Sequence, residues 1–174
     1  MYKLYVMRHA KSSWDFPELE DHDRPLSKRG FKSAKIICEF FIKNNINFDL
    51  VYCSSAKRTI QTLDALIEKV KIKKTLVTQK LYHASSNDLI KTLKKTPNEF
   101  KSVLLINHEP SLTELVKQIC FESKSIMMSS LIEKFSTCAV AEIFFNFESW
   151  DKIAELKGEL INFTKPKQLQ ASKE

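Results

Sequence analysis

The sequence predicts a three-layer α/β/α sandwich with a mostly parallel central sheet. Two observations carry that expectation. Short apolar runs alternate with amphipathic stretches along the chain, which is the pattern of strand–helix units that stack into α/β layers. One run, Ser102-Val103-Leu104-Leu105-Ile106-Asn107, is continuously apolar, as in a strand covered on both faces. The 174 residues suit one domain spanning 1–174, with no internal repeat and no linker.

Leu4 to Met7 reads as a buried strand, and Asp15 to Pro25 as an acidic, proline-bounded loop. Ser27 caps a helix running to about Lys43, with Phe31, Ala34, Ile37, Cys38, Phe41 and Ile42 at helical spacing. Asp49 to Cys53 is a second strand. Ala56 to Val70 is a helix with Ile60, Leu63, Ile67 and Val70 on one side. Thr75 to Thr78 forms a short strand, Asn87 to Lys95 a short helix, and Ser102 to Asn107 the central strand. Pro110, suited to a first turn, opens a helix to Phe121. Cys138 to Phe147 is a long strand and Glu159 to Phe163 a final edge strand; the polar tail from Lys165 is expected to fray.

Composition narrows the classes. With 43% hydrophobic and 28% charged residues the chain is globular. No apolar run approaches the roughly 20 residues that span a bilayer, and Met1 to Met7 lacks the length and cleavage site of a signal peptide, so a cytoplasmic protein without membrane contact is expected. Cys38, Cys53, Cys120 and Cys138 are scattered without ligand spacing and read as reduced, mostly buried thiols. The formal charge of +7 comes from dispersed lysines with no dense basic arm. That pattern fits a solvated surface biased toward anions better than a nucleic-acid partner. No metal and no cofactor are expected, and the chain is expected to be a monomer.

Four arginines stand against twenty-four lysines, and all four lie in the first third. Arg8 directly precedes His9 at the end of an apolar run, and Arg58 sits in Ser54-Ser55-Ala56-Lys57-Arg58-Thr59. A guanidinium grips phosphate oxygens through a rigid fork, whereas an ammonium is a point charge. Ligands of such sheets bind beyond the carboxyl ends of the strands. That rule brings together Arg8-His9, Ser54 to Arg58, and Asn107-His108. A neutral imidazole there can attack phosphorus and form a phosphohistidine that water hydrolyses. Arg8, Arg58 and His108 would supply charge to the transferring oxygens without a metal, aided by helix N-termini near Ala56 and Pro110. His22, in the acidic loop, reads as solvated, and His83 reads first as a surface residue.

These segments resemble the histidine phosphatase superfamily, of phosphoglycerate mutase-like fold, and within it the short SixA-like phosphohistidine phosphatases. The carriers are Met7-Arg8-His9-Ala10-Lys11-Ser12-Ser13-Trp14, Asp23-Arg24-Pro25-Leu26-Ser27-Lys28-Arg29-Gly30, Cys53 to Thr62, and Ile106-Asn107-His108-Glu109-Pro110-Ser111-Leu112, with Ser149-Trp150, Leu160 to Phe163 and Pro166-Lys167 fitting the C-terminal end. The resemblance implies that His9 is the phosphorylated nucleophile. It implies that Arg8 and Arg58 hold the phosphoryl oxygens, and that His108 completes the pocket and stabilises the transition state. Arg24 would bind substrate phosphate from the loop and Ser12 would donate a hydrogen bond. Glu109 and Ser111 depart from the HNPG form of the last motif. The mid-chain glutamate acid of the family's sugar-phosphate mutases has no convincing equivalent near Leu81 to Ser85, where His83 is the nearest candidate acid/base.

A missing acid matters less when the leaving group departs easily, as from phosphohistidine. The short chain, rimmed only by Lys11 to Pro25 and Ala84 to Asn87, implies an open, basic-edged cleft. The expectation is therefore a metal-independent phosphatase acting on phosphohistidine of a signalling or phosphotransfer protein. The alternatives are a small-molecule phosphate-ester phosphatase acting on a small phosphorylated metabolite, and a catalytically idle phosphoprotein-binding module.

Overall fold

The computed structural model describes residues 1–122 and 125–171. Its strands are β1 (Tyr2–Arg8), β2 (Phe48–Ser54), β3 (Ile72–Thr78), β4 (Ser102–Asn107), β5 (Val140–Phe145) and β6 (Glu159–Thr164), and its helices are α1 (Lys28–Lys43), α2 (Lys57–Ile67), α3 (Ser86–Lys94), α4 (Ser111–Ile119), α5 (Ile126–Glu133) and α6 (Pro166–Ala171). They form one six-stranded sheet in the order β3-β2-β4-β1-β5-β6. β3, β2, β4 and β1 pair in parallel, and β5 runs antiparallel to both β1 and β6.

Strand side chains alternate between two apolar clusters, one on each face. Leu4, Val6, Leu50, Tyr52, Val103 and Leu105 meet residues of α3, α4 and α5. Tyr5, Met7, Val51, Cys53, Leu104 and Ile106 meet residues of α1 and α2. Burial on both sides explains the continuous apolar runs. The alternation of helices between faces leaves a crevice beyond the carboxyl ends of β1, β2 and β4, as this topology requires.

Several details differ from the sequence expectation. Cys138 does not begin a strand: its φ of 63° is left-handed, and β5 starts at Val140. The tail does not fray at Lys165. Pro166 to Ala171 is helical, Pro166 is buried, Leu169 packs into the core beside α1, and Lys165 Nζ donates to Ser130 Oγ at 2.8 Å. α5 has no clean apolar stripe, because Met128 and Leu131 are buried while Ile126 and Ile132 are exposed.

Helix α2 buries Arg58, Thr59, Thr62, Leu63 and Leu66, and leaves Ile67 about half exposed. Its threonines are admitted because their hydroxyls are satisfied. Thr59 Oγ1 donates to the Ser54 and Ala56 carbonyls, and Thr62 Oγ1 accepts Ala10 N–H at 3.0 Å. Gln61 Oε1 accepts Leu26 N–H at 2.7 Å. One helix thus anchors both the residue after His9 and the end of the acidic loop.

That loop is drawn onto α1 by a single carbonyl. The Lys11 carbonyl accepts both the backbone N–H and the hydroxyl of Ser27, the residue that caps α1 by accepting Gly30 N–H. A Cβ on Gly30 would lie 2.1 Å from Lys11 O, so the close approach requires glycine. Gly30→Ala is expected to lower unfolding free energy by about 2 kcal/mol, within the range of steric overpacking, as read from urea midpoints. An unchanged midpoint would show that the loop at Lys11 yields freely.

Candidate active site

The two histidines of the site are each fixed at a strand end. His9 follows β1, is 7% exposed, and donates its backbone N–H to the Asn107 carbonyl at 3.1 Å, which ties the ends of β1 and β4 together. Its Nδ1 lies 2.7 Å from the Ala10 carbonyl oxygen. A carbonyl only accepts, so Nδ1 carries the proton and Nε2 keeps its lone pair. The His9 and His108 ring centroids are 5.1 Å apart. His108, at the end of β4, places Nε2 2.8 Å from Ser54 Oγ at the end of β2.

Three guanidinium groups act on the His9 ring. Burial is the main force holding its pKa down to about 4, and the charges of Arg58, Arg8 and Arg24 add to it. Burial likewise pushes His108 down to about 3, with His9 and Arg58 contributing. Arg8 is lowered by burial, opposed by Glu109 and reinforced by Arg58. Its Nη1 donates to the Phe135 carbonyl at 2.9 Å. Among the described residues, the buried side-chain polar atoms without a hydrogen-bond partner are Arg8 Nε, Asn107 Nδ2 and Oδ1, and His108 Nδ1. All four belong to residues at the ends of β1 and β4. Such atoms cost free energy and call for an explanation; an incoming oxyanion would accept from Arg8 Nε–H, though not from Asn107 Oδ1, which is itself an acceptor.

Helix ends add to the positive field. Serine hydroxyls cap α1, α3 and α5, whereas no side chain at Ala56 or Pro110 caps α2 or α4. Of the two that begin at the crevice, α2 leaves its first N–H groups without a side-chain acceptor, the arrangement that suits an anion, whereas the Glu109 carboxylate takes the Thr113 N–H at the start of α4.

Asp21, which the sequence did not single out, links these parts. It lies in a single 3₁₀ turn, Asp21–Asp23, within the acidic loop. Arg58 Nη1 donates to its backbone carbonyl at 2.7 Å and Arg58 Nη2 to its Oδ2 at 3.1 Å. Arg24 Nη1 donates to Oδ1 at 3.0 Å, and the Tyr82 hydroxyl donates to Oδ2 at 2.5 Å. The Tyr82 bond, reinforced by Arg58 and Arg24, holds the carboxyl far below its ordinary range. The adjacency of an acidic loop to Asp23-Arg24-Pro25-Leu26 was the available signal. It reads as solvated charge because two of its partners, Arg58 and Tyr82, lie far along the chain.

The remaining candidates fall into place around it. Arg24 is buried, stacks on the exposed Trp14 ring with Cζ 3.3 Å from the centroid, and donates through Nη2 to Ser12 Oγ at 2.7 Å. Ser12 therefore holds Arg24 as an acceptor. His22 is not merely solvated: its Nε2 is 2.9 Å from Ser55 Oγ and its ring meets Tyr82 edge-on at 4.7 Å. His83 lies against Tyr82 with centroids 3.9 Å apart, and both rings line a cleft of about 510 Å³ together with Asp21, Arg58, His108, Glu109 and Glu114. The expectation of a basic-edged cleft is corrected there, since three carboxylates share its wall. Glu109 is tied to Thr113, whose N–H and hydroxyl donate to it at 2.8 and 2.6 Å, and so serves the entry of α4.

The model of the histidine phosphatase superfamily (branch 1) matches residues 4–82. An uncharacterized protein of Mycobacterium tuberculosis (strain H37Rv) is 30% identical over 143 residues, covering 78% of this chain and 84% of that protein. The chain belongs to the histidine phosphatase superfamily. A structure from Agrobacterium tumefaciens, assigned as the phosphohistidine phosphatase SixA, is 26% identical with TM-score 0.77, covering 95% of this chain and 98% of that one. The protein histidine phosphatase SixA complexed with tungstate shares the fold at TM-score 0.78 and 22% identity, over 96% and 99% of the two chains. Membership of this superfamily and the SixA-type fold support phosphatase chemistry. His108 lies beyond the span the family model matches, so its place in the site rests on geometry.

Among the described residues, no group of three or more His, Cys, Asp or Glu side chains converges as a metal-ligand set, and no helix is long and apolar enough to cross a membrane. The pKa shifts set a pH window. His9 and His108 stay neutral in the fold below the ordinary 6.5, down to about 4 and about 3, while the unfolded chain takes up protons. Stability therefore falls as pH drops through that interval. By NMR, the His9 ring protons are expected to titrate with a midpoint near 4 in the free protein and higher with bound phosphate. A free-protein midpoint at 6.5 would show that burial and the guanidinium charges do not govern the ring.

Proposed function

We propose that the protein is a metal-independent phosphatase that works through a phosphohistidine on His9 and hydrolyses phosphohistidine carried by a signalling or phosphotransfer protein. The observation that carries this reading is the state of His9. It is buried and neutral, with Nδ1–H engaged by the Ala10 carbonyl and Nε2 left as a lone pair within the field of three guanidinium groups. A nucleophile needs that tautomer, and a dianionic phosphoryl group needs that field.

In the proposed cycle the Nε2 lone pair forms a bond to phosphorus while the bond to the leaving group breaks. Arg8, Arg58 and Arg24 hold the phosphoryl oxygens, and His108, kept in place by Ser54, completes the cradle. Water then adds to the phosphohistidine and releases inorganic phosphate. Asp21 fixes Arg58 and Arg24 relative to each other before substrate arrives. It consumes one N–H on each of Arg58 Nη1 and Nη2, which leaves Nε–H and two further N–H groups to grip an oxyanion. The short rim supports access for a phosphorylated side chain of a partner protein. Four buried cysteines, all unpaired, fit a reducing compartment such as the cytoplasm.

His9→Ala is expected to abolish hydrolysis of an activated aryl phosphate with its circular dichroism unchanged, and to prevent trapping of an acid-labile phosphoryl label on the chain. Retained turnover would overturn the nucleophile. Arg58→Lys is expected to weaken vanadate inhibition by about tenfold or more through loss of the fork, and wild-type behaviour would show that its geometry is irrelevant. EDTA is expected to leave the rate unchanged. A panel of phosphohistidine protein, phosphoserine peptide and sugar phosphates, ranked by kcat/KM, tests the substrate. A preference of about two orders of magnitude for an ester would favour the metabolite phosphatase instead.

A further inference from the structure

We propose that Tyr82, His83 and Asp21 form a leaving-group subsite that recognises the imidazolium ring of the phosphohistidine, and that Asp21 determines the selectivity of the enzyme. This inference rests on the phosphohistidine reading and concerns the half of the cleft that does not hold the phosphoryl group.

Three features converge on this wall. It is aromatic: the Tyr82 ring meets His83 at 3.9 Å, His22 at 4.7 Å and His108 at 5.7 Å between centroids, the last two edge-on. Such a wall suits a flat ring, and a cationic one most of all. It is also acidic. In a chain with twenty-four lysines, the lining contains the carboxyl groups of Asp21, Glu109 and Glu114 and the guanidinium of Arg58, but no lysine. Finally, it keeps an open acceptor. Each carboxylate oxygen offers about two acceptor positions. Asp21 Oδ2 serves both Arg58 and Tyr82, whereas Oδ1 serves Arg24 alone. The side chain is 52% exposed and lines the cleft.

The chemistry follows from charge balance. His9 Nε2 gives its electron pair to phosphorus, and the pair of the breaking P–N bond returns to the substrate ring nitrogen. If the other ring nitrogen bears a proton, the ring leaves as neutral imidazole, and no proton has to reach the breaking bond. A carboxylate that accepts a hydrogen bond from that N–H favours the protonated substrate. Asp21 thus supplies by electrostatics what a general acid supplies by proton transfer, which accounts for a site without a mid-chain glutamate. The same carboxylates repel leaving groups that carry a second negative charge, such as the carboxylate of a phosphoglycerate.

The test compares kcat/KM ratios for a phosphohistidine peptide, free phosphoramidate (the same P–N bond without a ring) and 3-phosphoglycerate. In Asp21→Asn and Tyr82→Leu the ratio of phosphohistidine to phosphoramidate is expected to fall about tenfold, the scale of a lost charge-assisted or cation–π contact. Asp21→Asn should also lower the ratio of phosphohistidine to 3-phosphoglycerate. Ratios cancel any general loss of phosphate grip from a disturbed Arg58, and Asp21→Asn alone decides the matter if Tyr82→Leu does not fold. A wild-type enzyme that prefers 3-phosphoglycerate overturns the phosphohistidine reading itself. A wild-type enzyme that prefers phosphohistidine, with both ratios unchanged in Asp21→Asn, overturns only the subsite.

Discussion

The hydrogen bond from His9 Nδ1 to the carbonyl of Ala10 is the contact on which the remainder of the site depends. It decides which nitrogen can attack, and it holds only because Ala10 is itself held. Ala10 N–H is taken by Thr62 of α2, and His9 N–H by the Asn107 carbonyl of β4. The ring is therefore oriented by three elements that are remote in sequence and adjacent in the sheet. Burial then does what hydrogen bonding alone could not. An ordinary imidazole takes up its proton as pH falls through about 6.5, whereas burial, with three guanidinium charges acting in the same direction, keeps this one neutral well below that.

Like-charged groups gathered around one ring repel one another, and Asp21 offsets that repulsion. Its carboxylate binds Arg58 and Arg24 at once and takes the Tyr82 hydroxyl, so the acidic loop, α2 and the turn before α3 share one anion. The cost falls on the loop, which must remain folded over the crevice. Lys11, Ser27 and Gly30 hold it there by a backbone approach too close for any side chain. The arginines are thus presented to substrate in a fixed arrangement, and entropy that a mobile fork would lose on binding is lost during folding instead.

How much of this was legible in the sequence differed by kind of interaction. The order of strands and helices, the parallel core and the clustering of Arg8, His9, Arg58 and His108 at one sheet edge follow from local pattern plus a topological rule. Asp21 and Tyr82 did not stand out. A carboxylate in an acidic loop and a tyrosine between helices look solvated until partners 37 and 61 residues away are brought beside them. The buried face of α2 was misjudged for a related reason. Thr59 and Thr62 count as polar, yet hydroxyls that return bonds to nearby backbone pack as well as apolar groups, so Ile67 is displaced toward solvent. Helices α5 and α6 escaped because one mixes buried and exposed apolar residues and the other is polar apart from Pro166, Leu169 and Ala171.

The distribution of unmet bonding capacity is the last constraint, and it points the same way as the charges. Folded chains normally satisfy buried polar atoms and cap helix ends. This one does so with serines at α1, α3 and α5, and with threonine hydroxyls inside α2. Among the described residues, the exceptions are the N-cap position of α2 and the buried atoms of Arg8, Asn107 and His108, while at α4 the Glu109 carboxylate takes the Thr113 N–H. Unsatisfied donors scattered at random would mark a poorly packed fold. Gathered beside a neutral histidine, the unmet donors among them, Arg8 Nε–H and the uncapped N–H groups at the start of α2, amount to stability forgone where an oxyanion can restore it. On that account the free energy an anion gains on binding includes bonds that the protein leaves unmade, so phosphate should raise the stability of the chain and protect its crevice by one and the same set of contacts.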